Sequence, residues 1–465
     1  DWANSPFFQV VDTLMKVLLK RLAEFAALRG NFPTNVMSTG AYPAMIMWGT
    51  AALQTVCLLS FAPFGDYGRK RKQLLKWITF AGSGILVLTI FCFDAGTWWF
   101  AGILRVFAGV CHLVSTVYYT SYLPLLVASH YTMEGVTGEE RFRREVELSD
   151  EMSAKGFGLG YAGGLVMQAV SFLILFGGEK TQGYIDGSEF YRLFMICLCV
   201  ALSGVWWSAF SLYPFRHLKT RPGPPFPPGN MICLGWKNTC ETLILLFRYW
   251  DTLLVALSYF LWSDALNTVV QIAVLILDDT SEKESGVMIA SMLGTSAGIL
   301  GIGFFMKVQQ HFHISSKAML VVQLIVSMVV SIAAGCGLVT AFGGWGFYFV
   351  LGPIMIMIGT LQSNARSLFS SLSPVGKEVA MFSLFTITDK GSTLIGAGVI
   401  GVVHTTTGSY HGVFWYAAIA FGLSSVIMLM VDMNRGIRKA RGSEFVAAEG
   451  TEAAMEVVPA QVVPP

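Results

Sequence analysis

Arg221-Pro-Gly-Pro-Pro-Phe-Pro-Pro-Gly-Asn230 is the stretch around which the chain is organised. Five prolines in ten residues remove five backbone donors and fix φ, so neither a helix nor a central strand can run through it. The segment reads as an extended, semi-rigid linker. Working outward, apolar stretches of spanning length lie on both sides, six before it and six after. The composition agrees. Of 465 residues 54% are hydrophobic and 13% charged, with a mean hydropathy of +0.60. A soluble domain carries roughly twice that charge. At about 20 apolar residues per crossing, the apolar content is enough for about a dozen crossings. A soluble enzyme, a nucleic-acid binder and a disordered scaffold are excluded, and a net charge of +2 points to no polyanionic partner. The expected fold class is an all-α polytopic membrane protein of twelve transmembrane helices in two six-helix halves. Residues 1–214 form the first half, 215–249 a cytoplasmic Pro-rich linker, 250–433 the second half and 434–465 a disordered cytoplasmic tail.

The expected crossings lie near 5–22, 44–63, 74–93, 98–128, 152–176 and 191–213, then 250–277, 286–306, 318–339, 347–369, 379–403 and 412–433. The first is unlike the rest. Gln9, Asp12, Lys16 and Lys20 recur every three or four residues and so share one helix face. Two readings stay open: a spanning helix whose polar stripe borders a wet cavity, or an amphipathic helix lying in the interface. With the first loop outside, twenty-two of the basic residues fall on inside segments and seven on outside ones. That bias puts both termini and the linker in the cytoplasm. The eight cysteines lie mostly in apolar runs without CxxC spacing and read as small buried hydrophobes.

Between the second and third crossings stands Gly65-Asp66-Tyr67-Gly68-Arg69-Lys70-Arg71-Lys72. By itself it is a tight turn followed by a basic run that pins a loop to the cytoplasmic side. Its G-D-x-G-R-[RK] pattern resembles the loop signature of the major facilitator superfamily, so a major facilitator fold is implied. On that resemblance Gly65, Asp66, Gly68, Arg69 and Lys70 form a gating motif that latches the two halves. The equivalent loop of the second half, Lys307-Val-Gln-Gln-His-Phe-His313, lacks the Gly-Asp pattern, so a latch in one half is expected. Arg105-Val-Phe-Ala-Gly109 in the fourth crossing is similar to a motif of proton-coupled carriers in that superfamily.

Four further stretches narrow the resemblance. Asp1-Trp2-Ala3-Asn4-Ser5, Lys155-Gly156-Phe157-x-Leu159-Gly160-Tyr161-x-Gly163-Gly164, and Leu257–Thr268 with Tyr259, Phe260, Asp264 and Asn267 look like elements of the vacuole effluxer family, the autophagy-related amino-acid exporters. The fourth is Gln362-x-x-x-Arg366-Ser367-x-Phe369 followed by Pro374-x-Gly376-Lys377-Glu378. The resemblance implies a secondary transporter that moves amino acids, large neutral ones above all, from vacuole or lysosome to cytosol. The charge on the first crossing departs from the family and bears on substrate preference.

Polar residues stranded in apolar helices are the candidates for substrate binding and coupling: Asp264, Asn267, Asp389, Lys390, Arg105, Tyr118, Tyr122 and Gln168. A zwitterion needs a cation for its carboxylate, Lys390 or Arg105, and an acceptor or ring face for its ammonium, Asp264 or a tyrosine. Each residue also has a plain reading as an interhelical hydrogen bond. Gly158-x-Gly160-x-x-Gly163 spells a dinucleotide fingerprint inside a membrane helix, where Gly156, Gly160 and Gly164 form instead a face for close helix approach. His311 and His313 lack further ligands, so no metal and no cofactor are expected. The expected partners are an amino-acid substrate, protons and the lipid bilayer, with no nucleic acid and a monomeric chain. The alternatives are a carrier for a sugar, peptide or drug on the same fold, and a transporter-like sensor that moves nothing.

Overall fold

A bilayer offers no water to satisfy backbone groups, which leaves helix as the solution for long apolar runs. The computed structural model describes the chain apart from residues 36–38, 40–41, 62–63, 66, 68–69, 134–137, 182–187, 221–230, 281–283, 339–343, 375–377, 387, 389–398, 400–402, 404–410 and 441–465. Among the described residues every regular element is helical. A π-helical turn at Phe7–Val11 leads into α1 (Asp12–Leu28). The first half continues through α2 (Tyr42–Phe61), α3 (Arg71–Leu88), α4 (Trp98–Thr120), α5 (Leu123–Ala128), α6 (Gly138–Gly178) and α7 (Glu189–His217). After α8 (Met231–Arg248) come α9 (Trp250–Thr280), α10 (Glu284–Phe312), α11 (Ser316–Gly335), α12 (Gly344–Ser371), a helical segment at 378–386 and α13 (His411–Met430). Eight helices among the described residues are long and apolar enough to cross a membrane.

Three boundaries differ from the sequence reading. The charged run 138–155 is not a loop but the first five turns of the 41-residue α6. Arg141–Glu145, Arg143–Glu147 and Lys155–Glu151 pair at i,i+4 along it, which supports helix before the apolar part begins. The region 215–249 is only partly a linker. Within it the 18 residues Met231–Arg248 form α8, with Trp236, Leu243, Ile244 and Phe247 exposed and Leu246 buried. The Pro-rich decapeptide itself lies outside the described residues. So does most of the tail, but 433–440 is helical, held by Arg435, whose guanidinium clamps Asp251 at 2.7 and 2.9 Å. That carboxylate raises the Arg435 pKa above its ordinary value.

The first expected crossing packs into the first half. Its Leu14, Met15, Leu18, Leu19, Leu22, Ala23 and Ala26 are buried within the first half, while Lys16, Lys20 and Glu24 are exposed. Two cores result. One lies in the first half around α1, α4 and α7, with Trp207 and Leu86. The other is built on Trp262, Phe369, Phe382 and Phe421 of the second half, and takes in Leu58, Leu75, Tyr118 and Tyr122 of the first. The halves therefore share an apolar core at the end where α3 begins and α4 finishes. Along the rest of the seam, α6 packs against α10 and α12.

Candidate functional site

At the Lys/Arg-rich end the halves are tied by charge. Arg71, at the head of α3, donates from Nε to the Gly65 carbonyl (2.9 Å) and pairs through Nη2 with Glu378 Oε2 of the other half (3.2 Å). Both side chains are nearly buried, at 11% and 4% exposure. The Arg71 guanidinium also lies over the Tyr122 ring at 5.6 Å. Tyr118 donates to the Phe61 carbonyl (3.0 Å), and its ring fills the space beside Gly65. A side chain at Gly65 would run into Tyr118 and, from the second half, Val379. Gly65, Tyr118 and Tyr122 thus converge on one point, while Lys70 stands exposed just before α3. Asp66, Gly68 and Arg69 lie outside the described residues. Arg71 and Glu378, both inside quoted motifs, were not singled out from sequence.

A second tie runs along α6. Arg366 of α12 donates from Nε to Ser153 Oγ (3.0 Å), from Nη2 to the Ser153 carbonyl (2.8 Å), and from Nη1 to both oxygens of Asp1 (3.2 Å each). The Tyr119 hydroxyl donates to the same Asp1 carboxylate (2.8 Å), and the Phe157 ring covers the guanidinium at 4.2 Å. Ser153 donates to the Ser363 carbonyl (2.9 Å). Next to it, Asp150 accepts from Ser316 and Ser367 of the second half. A buried arginine is tolerated when its donors are used, and every nitrogen of Arg366 is engaged.

The glycine ladder of α6 proves to be the seat of the first crossing. Side chains at Gly156, Gly160 and Gly164 would strike Asp1, Ser5 and Gln9, themselves spaced by four. Arg366 of the second half also reaches Gly156. The close approach therefore serves mainly helices of one half, with a single visitor from the other.

Deeper in the bundle the expected binding residues divide between the halves. Arg105 is 3% exposed and pairs with Asp12, which also has Lys16 at 4.0 Å. Gly109 leaves room for it, since a side chain there would meet Arg105 Nη1 at 2.7 Å. Asp264, buried in α9, accepts from the Tyr416 hydroxyl of α13. Asn267 turns to Ser263 at 3.4 Å. Asp389 and Lys390 lie outside the described residues. Arg105 and Asp264 are thus each engaged within their own half, and Tyr416 was missed because one tyrosine in an apolar run carries no spacing signal. Gln168 does cross the seam, donating to Ser291 Oγ of α10 (2.6 Å) and toward the Gln9 carbonyl (3.4 Å).

Two helical halves joined through buried polar ties, with polar groups stranded inside, form a bundle of the major facilitator fold. Solved structures agree on the fold. FucP, a major facilitator transporter in an outward conformation, superimposes with TM-score 0.59 at 12% identity, covering 91% of this chain and 99% of that one. The proton:xylose symporter XylE gives 0.57 at 11%, covering 92% and 96%. The chain belongs to the vacuole effluxer Atg22-like family, whose model matches residues 36–441. Autophagy-related protein 22-2 of Aspergillus niger is 28% identical, over 84% of this chain and 76% of that protein. Autophagy-related protein 22 of Neurospora crassa is 25% identical, over 86% of this chain and 62% of the relative. The protein is a multi-pass vacuolar membrane transporter of the autophagy-related class.

Proposed function

We propose that the protein exports amino acids, large neutral ones foremost, from the vacuole to the cytosol by alternating access. The Lys/Arg-rich end faces the cytosol on this reading, as the charge bias requires. One observation carries it. The buried ties Arg71–Glu378 and Arg366–Asp1 join the halves at that end through side chains, in a form that can part without unfolding either half. Those contacts close the cytosolic side, and transport requires their release while the substrate site stays between the halves. Asp12, shared by Arg105 and Lys16, supports a coupling role: protonating it would free Arg105 to meet a carboxylate. The test is efflux from proteoliposomes loaded with radiolabelled amino acids, with and without a proton gradient. The reading requires gradient-dependent leucine efflux that falls at least about tenfold in Asp12→Asn. Selective efflux of a sugar or peptide would overturn it.

A further inference from the structure

Gln9 and Gln168 share a property. The side-chain oxygen Oε1 of each is buried and accepts no hydrogen bond. Gln168 is completely buried, and the orientation of its amide is fixed. Its Nε2 faces the Gln9 carbonyl and Ser291 Oγ, and a carbonyl can only accept, so the oxygen must be the free end. The Gln9 amide fills the gap left by the missing side chain of Gly164, and Gln168 follows Gly164 by one helical turn. Residues at i,i+4 on a helix stand about 5–6 Å apart, so the Gln9 amide, seated at Gly164, and the Gln168 side chain start from neighbouring turns of α6. Asp12 follows Gln9 by three residues on the same face of the first crossing. Ser291, which ties Gln168 across the seam, belongs to the second half.

Buried acceptors without donors are rare in folded proteins, because each loses its water and gains nothing. Two on neighbouring side chains, one of them tied to the second half, call for a ligand that supplies donors only. A sugar hydroxyl both donates and accepts. An ammonium offers three donors and no acceptor. We propose that Gln9 and Gln168 bind the ammonium group of the transported amino acid, a role that rests on the transport reading above. Neutral amide oxygens suit this task, since an empty site then holds no bare charge in an apolar surrounding. The tie to Ser291 couples occupancy to the approach of α10.

The experiment is counterflow of radiolabelled leucine in proteoliposomes, with leucinamide and N-acetyl-leucine as competitors. Leucinamide keeps the ammonium and N-acetyl-leucine lacks it. Wild type is expected to favour leucinamide over N-acetyl-leucine by tenfold or more, as a site built on polar partners does. Gln9→Met and Gln168→Met keep the side-chain length and remove the acceptor. Each is expected to raise the KM for leucine about tenfold while N-acetyl-leucine inhibits as before, so that the preference collapses. Gln168→Glu restores an acceptor and retains the preference, and Ser291→Ala, which breaks the tie without touching either oxygen, also retains it. Unchanged competitor preference in both Met variants, with leucine still carried, would overturn the ammonium assignment alone. A wild-type protein that carries no amino acid would overturn the transport reading with it.

Discussion

Arg71 and Glu378 are separated by 307 residues and meet at 3.2 Å with little water around them. Removing one partner of a nearly buried pair costs about 3–5 kcal/mol, because the other charge stays behind in the apolar surround. Here the penalty falls on the closed arrangement alone. Glu378→Gln is expected to raise labelling of cytosol-side cysteines, and the swapped pair Arg71→Glu with Glu378→Arg to restore part of the protection. Equal labelling in all three proteins would dismiss the pair as a latch. Gly65 tests the same point by volume. Gly65→Val would press on Tyr118 and Val379, so cysteine labelling at that end is expected to increase and transport to fall, with little change in expression. At this scale the sequence was half legible. The Gly-Asp-x-Gly-Arg pattern drew attention to the right loop, but the arginine that reaches the other half lies two residues beyond the pattern. Spacing shows which residues share a turn and does not show which one crosses a seam.

At the scale of elements, the fit between the first crossing and α6 is the most specific packing in the molecule. Asp1, Ser5 and Gln9 sit on Gly156, Gly160 and Gly164, two ladders with the same step. A bulky residue cannot be absorbed there, since the Asp1, Ser5 and Gln9 side chains already occupy the space. Gly164→Leu is expected to displace Gln9 and lower the melting temperature of the detergent-solubilised protein by several degrees, in the range of about 1–3 kcal/mol for overpacking. Gly84→Leu, where nothing lies within 4 Å, is the control and should melt like the wild type. The glycine ladder was visible in the sequence because its period is that of a helix face. Its occupant was not, because a small face states only that something comes close. The same limit explains α8 and the start of α6. A run of prolines and a run of charges both suggested loops, whereas i,i+4 pairing and a one-sided apolar stripe make helices of their neighbours.

For the molecule as a whole, apolar run length and the Pro-rich break were sufficient to foresee a helical bundle in two halves, since the bilayer leaves the backbone so few choices. The disposition of the stranded polar residues was not foreseeable. Arg105, expected to meet a substrate, pairs with Asp12 in the first half, and Asp264 pairs with Tyr416 in the second. Sequence marks such residues as costly in a membrane but does not say which neighbour relieves the cost. What the two halves share is the closure at the Lys/Arg-rich end, and its release is what the account requires. The most direct test is pulsed electron spin resonance between labels at Glu151 and His313, exposed positions flanking the Asp150–Ser316 contact across the seam. In proteoliposomes, leucine is expected to add a second population at longer distance, enlarged by Glu378→Gln. A single distance that neither leucine nor Glu378→Gln alters, in protein that still transports, would contradict it.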